Sequence, residues 1–184
     1  EGYKTVISIR GVGNETNQNA IAAPSVAFHM DGIFVASPFS LQTDFMDVER
    51  IEVLRGPQGT LFGQNSTGGA INVITKAPSV DEFSGKADLT LGSDYDYTKL
   101  RATFNIPVSD SVATRFAIAS TKHDGFTENV FNGQDLDDAD QLSIRSDWFF
   151  DLGGPNTLRI FGQYFEAESN GAAIKGFYDT TPGE

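Results

Sequence analysis

The stretch Val48–Lys76, VERIEVLRGPQGTLFGQNSTGGAINVITK, decides how this chain is read. Its opening alternates, with Val48, Arg50, Glu52 and Leu54 on one side and Glu49, Ile51, Val53 and Arg55 on the other. That period predicts a strand, and one charged on both faces. Gly56-Pro57-Gln58-Gly59 breaks it sharply. Gly63, Gly68 and Gly69 punctuate the polar loop that follows, and Ala70-Ile71-Asn72-Val73-Ile74-Thr75 returns as an apolar strand. Charges at Glu49, Arg50, Glu52 and Arg55 need partners that the stretch alone does not supply. A wet, polar enclosure is a setting in which such a strand makes sense.

The same residues carry a family resemblance. The alternating E-R-I-E-V strand, the R-G-P turn, the L-F-G step and the G-G-A-I-N-V-I-T-K exit resemble the plug domain of TonB-dependent outer-membrane receptors. Ile9-Arg10-Gly11 resembles the family's I-R-G element, and VAFHMDGIFV over Val26–Val35 its central strand and D-G turn. The likeness implies a small α+β plug over residues 1–78. Over residues 79–184 it implies the first antiparallel strands of a transmembrane β-barrel, about 22 strands in the whole protein. It also implies that signal peptide, TonB-contact segment, first plug residues and most of the barrel lie outside this sequence.

Composition is consistent with that picture. The 184 residues carry a net charge of −12, which argues against a nucleic-acid surface. With no cysteine, neither a disulfide scaffold nor a thiolate metal site is available. No apolar run reaches the ~18 residues of a membrane helix, but barrel strands alternate and escape that test.

Upstream, Tyr3–Arg10 alternates as a strand, and Asn14–Asn19 is a polar loop. Asp31-Gly32 is the strongest hairpin signal in the chain. Ala36–Thr43 is a second loop, and Asp44–Val48 is expected to make a helical turn before the charged strand. Beyond Lys76, Ala77-Pro78-Ser79 reads as a hinge. Alternating segments then follow. Leu89 and Leu91 oppose Lys86 and Asp88. Leu100, Phe104 and Ile106 oppose Lys99, Arg101 and Thr103. Phe116 and Ile118 oppose Arg115, Ala117 and Ala119. Leu142, Ile144, Trp148 and Phe150 oppose Ser143, Arg145 and Asp147. Leu158, Ile160 and Tyr164 oppose Arg159 and Gln163. Connections at Pro107–Ser111 and Gly153–Asn156 are tight, whereas Lys122–Asp140 is long and acidic. Short turns at one end and long loops at the other are a barrel habit. Phe83, Tyr95, Tyr97, Trp148, Phe150 and Tyr164 stand near strand ends, where interfacial girdles form.

Candidate sites follow from these placements. Glu49, Arg50, Glu52 and Arg55 are expected to anchor plug to barrel through carboxylate–guanidinium pairs; the alternative is a charged edge strand in solvent. Gly56, Pro57, Gly59, Gly63, Gly68 and Gly69 read as tight turns. No G-x-x-x-x-G-K-[ST] occurs among them, so nucleotide binding is not supported. The resemblance implies that the plug loops meet the ligand, which singles out Arg10, Asn14, Asn17, Gln18, Asn19, Ser37, Phe39, Ser40 and Gln42; solvated loops are the plainer alternative. Asp135, Asp137, Asp138 and Asp140 lack an EF-hand's glycine and glutamate and read as an acidic surface loop. His29 and His123 have no H-E-x-x-H context, and no G-x-S-x-G elbow occurs. No catalytic constellation and no cofactor is expected.

Two function classes emerge. One is TonB-energised uptake of a scarce ligand at the Gram-negative outer membrane, foremost a ferric siderophore or similar iron chelate, with cobalamin, haem or an oligosaccharide as other family ligands. Its partners are TonB, the ligand and outer-membrane lipid. The other is a soluble all-β binding or adhesion module, in which the apolar faces bearing Leu100, Phe104, Leu142, Ile144 and Trp148 pack on one another.

Overall fold

The computed structural model describes residues 8–13, 25–35, 46–57, 59 and 66–171. Two sheets dominate them. The first is built from β3 (Val26–Met30), β4 (Ile33–Phe34), β5 (Val48–Arg55) and β6 (Gly69–Thr75), in the order β4-β3-β6-β5. β6 runs parallel to β3 and antiparallel to β5. Centrality follows composition: the apolar β6 and β3 lie inside, and the charged β5 takes an edge. The core is small, with Phe28 and Val73 buried and Val35, Val48 and Ile71 packed on them.

Both tight turns here use left-handed backbone. Asp31 (φ 50°) and Gly32 (φ 80°) join β3 to β4 as a primed hairpin turn, as the Asp-Gly pair predicts. Arg10 (φ 54°) and Gly11 (φ 78°) do the same between β1 (Ser8–Ile9) and β2 (Val12–Gly13). The sequence reading ended a strand at Arg10; the chain turns back there instead. The helical turn expected over Asp44–Val48 falls partly outside the described residues. Within them, Asp47 is left-handed (φ 57°) and Val48 already belongs to β5.

Gly69, at the start of β6, has φ 144°, and a Cβ there would lie 2.4 Å from the Leu54 carbonyl oxygen and 2.8 Å from Cδ1 of Ile9. The neighbour is backbone and cannot rotate away. Gly69→Ala is therefore expected to destabilise this sheet by about 2–3 kcal/mol, the cost range of overpacking together with an incompatible backbone. Urea-dependent proteolysis of residues 1–76 in the full receptor checks it.

The second sheet is long-stranded: β7 (Ser84–Leu91), β8 (Thr98–Ser109), β9 (Val112–His123), β12 (Ala139–Asp151) and β13 (Thr157–Glu168), all antiparallel in the order β13-β12-β9-β8-β7. Four of the strands have 12 or 13 residues, enough to cross a bilayer at a tilt. The sheet is open at β7 and β13. The acidic 124–138 connection carries a small hairpin, β10 (Thr127–Glu128) with β11 (Asp135–Leu136).

The sheet's two faces differ as the alternation requires. Outward rows run Ala102–Ile118–Ile144–Tyr164 and Ile106–Thr114–Trp148–Ile160. Leu89, Leu100, Phe104, Phe116, Ile144, Leu158 and Ile160 are exposed on this face, and no second sheet covers it among the described residues. The sandwich alternative required such a cover. Thr114, the hydroxyl in this apolar row, donates to the Asp147 carbonyl oxygen at 3.0 Å and so leaves no bare polar group. No helix among the described residues is long and apolar enough to cross a membrane, which says nothing of strands.

Candidate functional site

The first sheet leans against the inward face of the second, and charge holds the contact. Two backbone positions aim the carboxylates. Asp31 sits at a turn apex and Asp47 at the entry to β5, both left-handed.

The Asp31 carboxylate accepts the Thr75 backbone N–H at 2.9 Å and the Thr75 hydroxyl at 2.9–3.0 Å. It also accepts Nη2 of Arg145, from β12, at 2.6 Å. Arg145 stands 3.3 Å from Asp147, two residues along the same face. Arg159, from β13, grips Asp147 through Nε at 3.0–3.1 Å and Nη2 at 2.6 Å. Its Nη2 also donates to the Thr75 hydroxyl at 3.0 Å. That hydroxyl therefore gives its one proton to Asp31 and accepts from Arg159. Phe161 lies under the Arg145 guanidinium, 4.2 Å from ring centroid to Cζ.

A second clasp stands beside the first. Arg115, from β9, holds Asp47 through both Nε and Nη2, the latter at 2.7 Å. Such bidentate geometry is the strong form of the pair. Asn105, from β8 and 1% exposed, clamps the linker: it accepts the Ser79 N–H at 2.9 Å and donates to the Ser79 and Glu82 carbonyls at 2.9 and 2.8 Å. Register unites these groups, because Asn105, Arg115, Asp147 and Phe161 face one another across four neighbouring strands. That row supplies Arg115 and Asn105 to the attachment, while Arg145 and Arg159 reach it from neighbouring inward positions of β12 and β13.

Balance is the notable electrostatic property. Arg115, Arg145 and Arg159 meet Asp31, Asp47 and Asp147, so the cluster is neutral. The side chains of Arg145, Asp31 and Asp147 are only 3–5% exposed. Removing one partner from such a group leaves an uncompensated buried charge, costing about 3–5 kcal/mol. Below the row, Met46 packs on Ala117 and Ala119, whose small side chains let it approach.

The residues singled out in the sequence are distributed differently. Arg50 bonds to Glu49 at 2.8 Å and Glu52 at 2.9 Å on its own strand, about half exposed. Arg50 holds the Glu52 carboxyl below the usual carboxylate range, and Asn72 assists at 3.2 Å. Asn72 in turn accepts the Gly32 N–H at 3.2 Å. Arg55 is exposed at the end of β5. Gly56 (φ 83°) donates to Gly68 and Gly68 to the Ser25 carbonyl, tying the loop ends together. Pro57 and Gly59 are exposed beside them, and Gly63 lies outside the described residues. Arg10 is exposed at its turn; Asn14, Asn17, Gln18, Asn19, Ser37, Phe39, Ser40 and Gln42 lie outside the described residues. His29 is buried against Phe34, 5.5 Å between ring centroids, and desolvation holds its pKa below the ordinary value.

Asp31, Asp47, Thr75, Asn105, Arg115, Arg145, Asp147 and Arg159 were not singled out from sequence. The available signal was the alternation itself, since Arg115, Arg145, Asp147 and Arg159 all stand opposite the apolar rows. Tyr95 and Tyr97 also part from the girdle expectation. Tyr97 stacks on His123 (6.0 Å), His123 on Phe126 (6.1 Å), and Tyr95 meets Phe126 edge-on (5.9 Å). His123 continues the inward parity of Arg115, Ala117 and Ala119, so this stack belongs to the mouth of the sheet. Trp148, Phe116 and Phe150 do cluster on the outward face.

A small sheet pinned inside a long-stranded, open sheet agrees with the comparison to known families. Residues 1–70 match the TonB-dependent receptor plug domain. Residues 1–70 belong to a TonB-dependent receptor plug domain, and antiparallel strands follow it. The pesticin receptor of Yersinia pestis is 39% identical over 74 residues, 40% of this chain and 10% of that protein. The catecholate siderophore receptor Fiu of Escherichia coli K12 is 30% identical over 154 residues, 80% of this chain and 19% of that protein. The fold matches the ferric yersiniabactin uptake receptor FyuA of Yersinia pestis with a TM-score of 0.67 at 22% identity, over 82% of this chain and 25% of that one. The chain therefore spans about a tenth to a quarter of the relatives it matches. The plug is the first sheet and the wall the second.

Proposed function

We propose that this chain is the gate-bearing part of a receptor that carries a ferric siderophore across the Gram-negative outer membrane. The observation that carries the reading is the joint likeness of plug and wall, over 80% of the chain, to a receptor named for catecholate siderophores. Uptake against a gradient needs an external energy source, because binding alone only shifts populations. TonB supplies it in this reading. The Asp31 and Asp47 clasps keep the plug seated until that pull arrives. Arg10, together with residues 14–19 and 36–43, supplies the ligand contacts in this reading. Glu49, Arg50, Glu52 and Arg55 anchor the plug to the rest of a barrel of about 22 strands, and outer-membrane lipid bathes the outward rows. No catalysis is part of this role.

Growth of a deletion strain on single ferric siderophores as the sole iron source tests the proposal. Loss of growth on at least one siderophore, restored by the gene, is expected. Unchanged growth on every iron chelate, with a defect confined to cobalamin, haem or oligosaccharide use, would transfer the receptor to another ligand.

A further inference from the structure

A cleft of about 370 Å³ lies between the plug's exit and the first wall strands. Asp47 and Lys76 line it from the plug, and Lys86, Asp88, Arg101 and Arg115 from the wall. The sign of this lining opposes the chain's −12. Arg115 occupies Asp47, and Lys86 stands 3.5 Å from Asp88. Lys76 and Arg101 form no salt bridge among the described residues. They lie on opposite banks, one on the plug and one on β8. The Lys76 N–H donates to the Asp47 carbonyl at 3.0 Å, which keeps it beside the clasp. Thr103, also in the lining, adds a hydroxyl between Arg101 and the linker end of β8. Low-dielectric walls around unneutralised cations concentrate anions.

We propose that this cleft binds an anionic group, carboxylate or phosphate, between Lys76 on the plug and Arg101 on the wall. The cleft then acts as a waypoint for anionic cargo moving along the wall once the plug yields. In that respect it rests on the transport reading. An anion held there bridges the same two bodies that Asp47 and Arg115 join, so its arrival competes for the cations that surround the clasp.

The chain's lack of cysteine makes a thiol reporter clean. Thr103→Cys is introduced into the full-length receptor with any cysteine outside these residues replaced. Its reaction rates are measured with two methanethiosulfonates, one bearing a sulfonate and one a trimethylammonium group. The anionic-to-cationic rate ratio is expected to exceed that of a free small thiol by about tenfold. Lys76→Gln combined with Arg101→Gln is expected to return it to the free-thiol value. Citrate and inorganic phosphate, tried separately, are expected to slow the anionic reagent. A ratio at or below the free-thiol value overturns the proposal and means that carboxylates elsewhere in the receptor already neutralise these cations. Protection by neither anion also overturns it. Ser84→Cys, at the same cleft, repeats the measurement if the first reporter fails to fold. A failed ratio alongside intact siderophore-dependent growth removes the cleft alone; a high ratio without such growth removes the transport reading alone.

Discussion

Asp31→Asn is expected to loosen the plug from the wall by about 3 kcal/mol, the lower end of the cost of breaking a buried pair. The substitution is chosen because it spares the turn and keeps one oxygen to accept from Thr75. Asparagine tolerates the left-handed backbone and favours the primed turn, so the β3–β4 hairpin survives. What disappears is the charge facing Arg145 at 2.6 Å. Arg145 and Arg159 then share Asp147 alone, and one buried positive charge stands unbalanced. Susceptibility of the plug to protease as urea rises reads the effect, because proteins of more than one domain commonly depart from two-state unfolding. The midpoint for plug cleavage falls while the barrel stays folded.

Ile144→Arg has the other large expected effect. Ile144 lies mid-strand in β12, in the outward row between Ile118 and Tyr164, and is 40% exposed. If that row faces hydrocarbon, an arginine there costs about 2–4 kcal/mol near the midplane. The folded fraction in detergent or vesicles, read from heat-modifiable gel mobility, drops. Gln141→Arg, on the polar inward face near the loop end, leaves it nearly unchanged. Equal tolerance of the two would mean that the outward row does not meet lipid.

Much of the fold was legible because alternation and turn chemistry are local. Asp31-Gly32 announced its hairpin, and the apolar rows of β8, β9, β12 and β13 announced two faces. The Arg10-Gly11 turn was missed because arginine rarely takes positive φ, and nothing local marks the exception. The clasp was less legible for a different reason. Glu49, Arg50, Glu52 and Arg55 stood out as charges crowded into one strand, but Arg50 finds Glu49 and Glu52 beside it. Asp31 and Asp47 drew no notice as charges, since a turn aspartate usually serves its own backbone. Their partners come from strands 68 and 114 residues away in sequence, a pairing that only the fold can reveal.

The wall-strand arginines Arg115, Arg145 and Arg159 serve this contact. A barrel interior is wet, but Asn105 and Asp147 in the row Asn105–Arg115–Asp147–Phe161 are almost fully buried, and Arg115 is held by Asp47 of the plug. A neutral cluster can be covered and still be released as a unit, since each carboxylate returns to water when the plug shifts. An apolar contact of equal area gives no such directionality, whereas bidentate pairs fix register.

The most direct measurement is a double-mutant cycle between plug and wall: Asp31→Asn, Arg145→Met and the two combined, each read as the urea midpoint for plug cleavage in the full receptor. The pinned-plug account predicts a coupling of at least about 2 kcal/mol, with the double variant losing that much less than the sum of the single losses. Additive losses, with coupling near zero, would mean that Asp31 and Arg145 do not hold the plug to the wall.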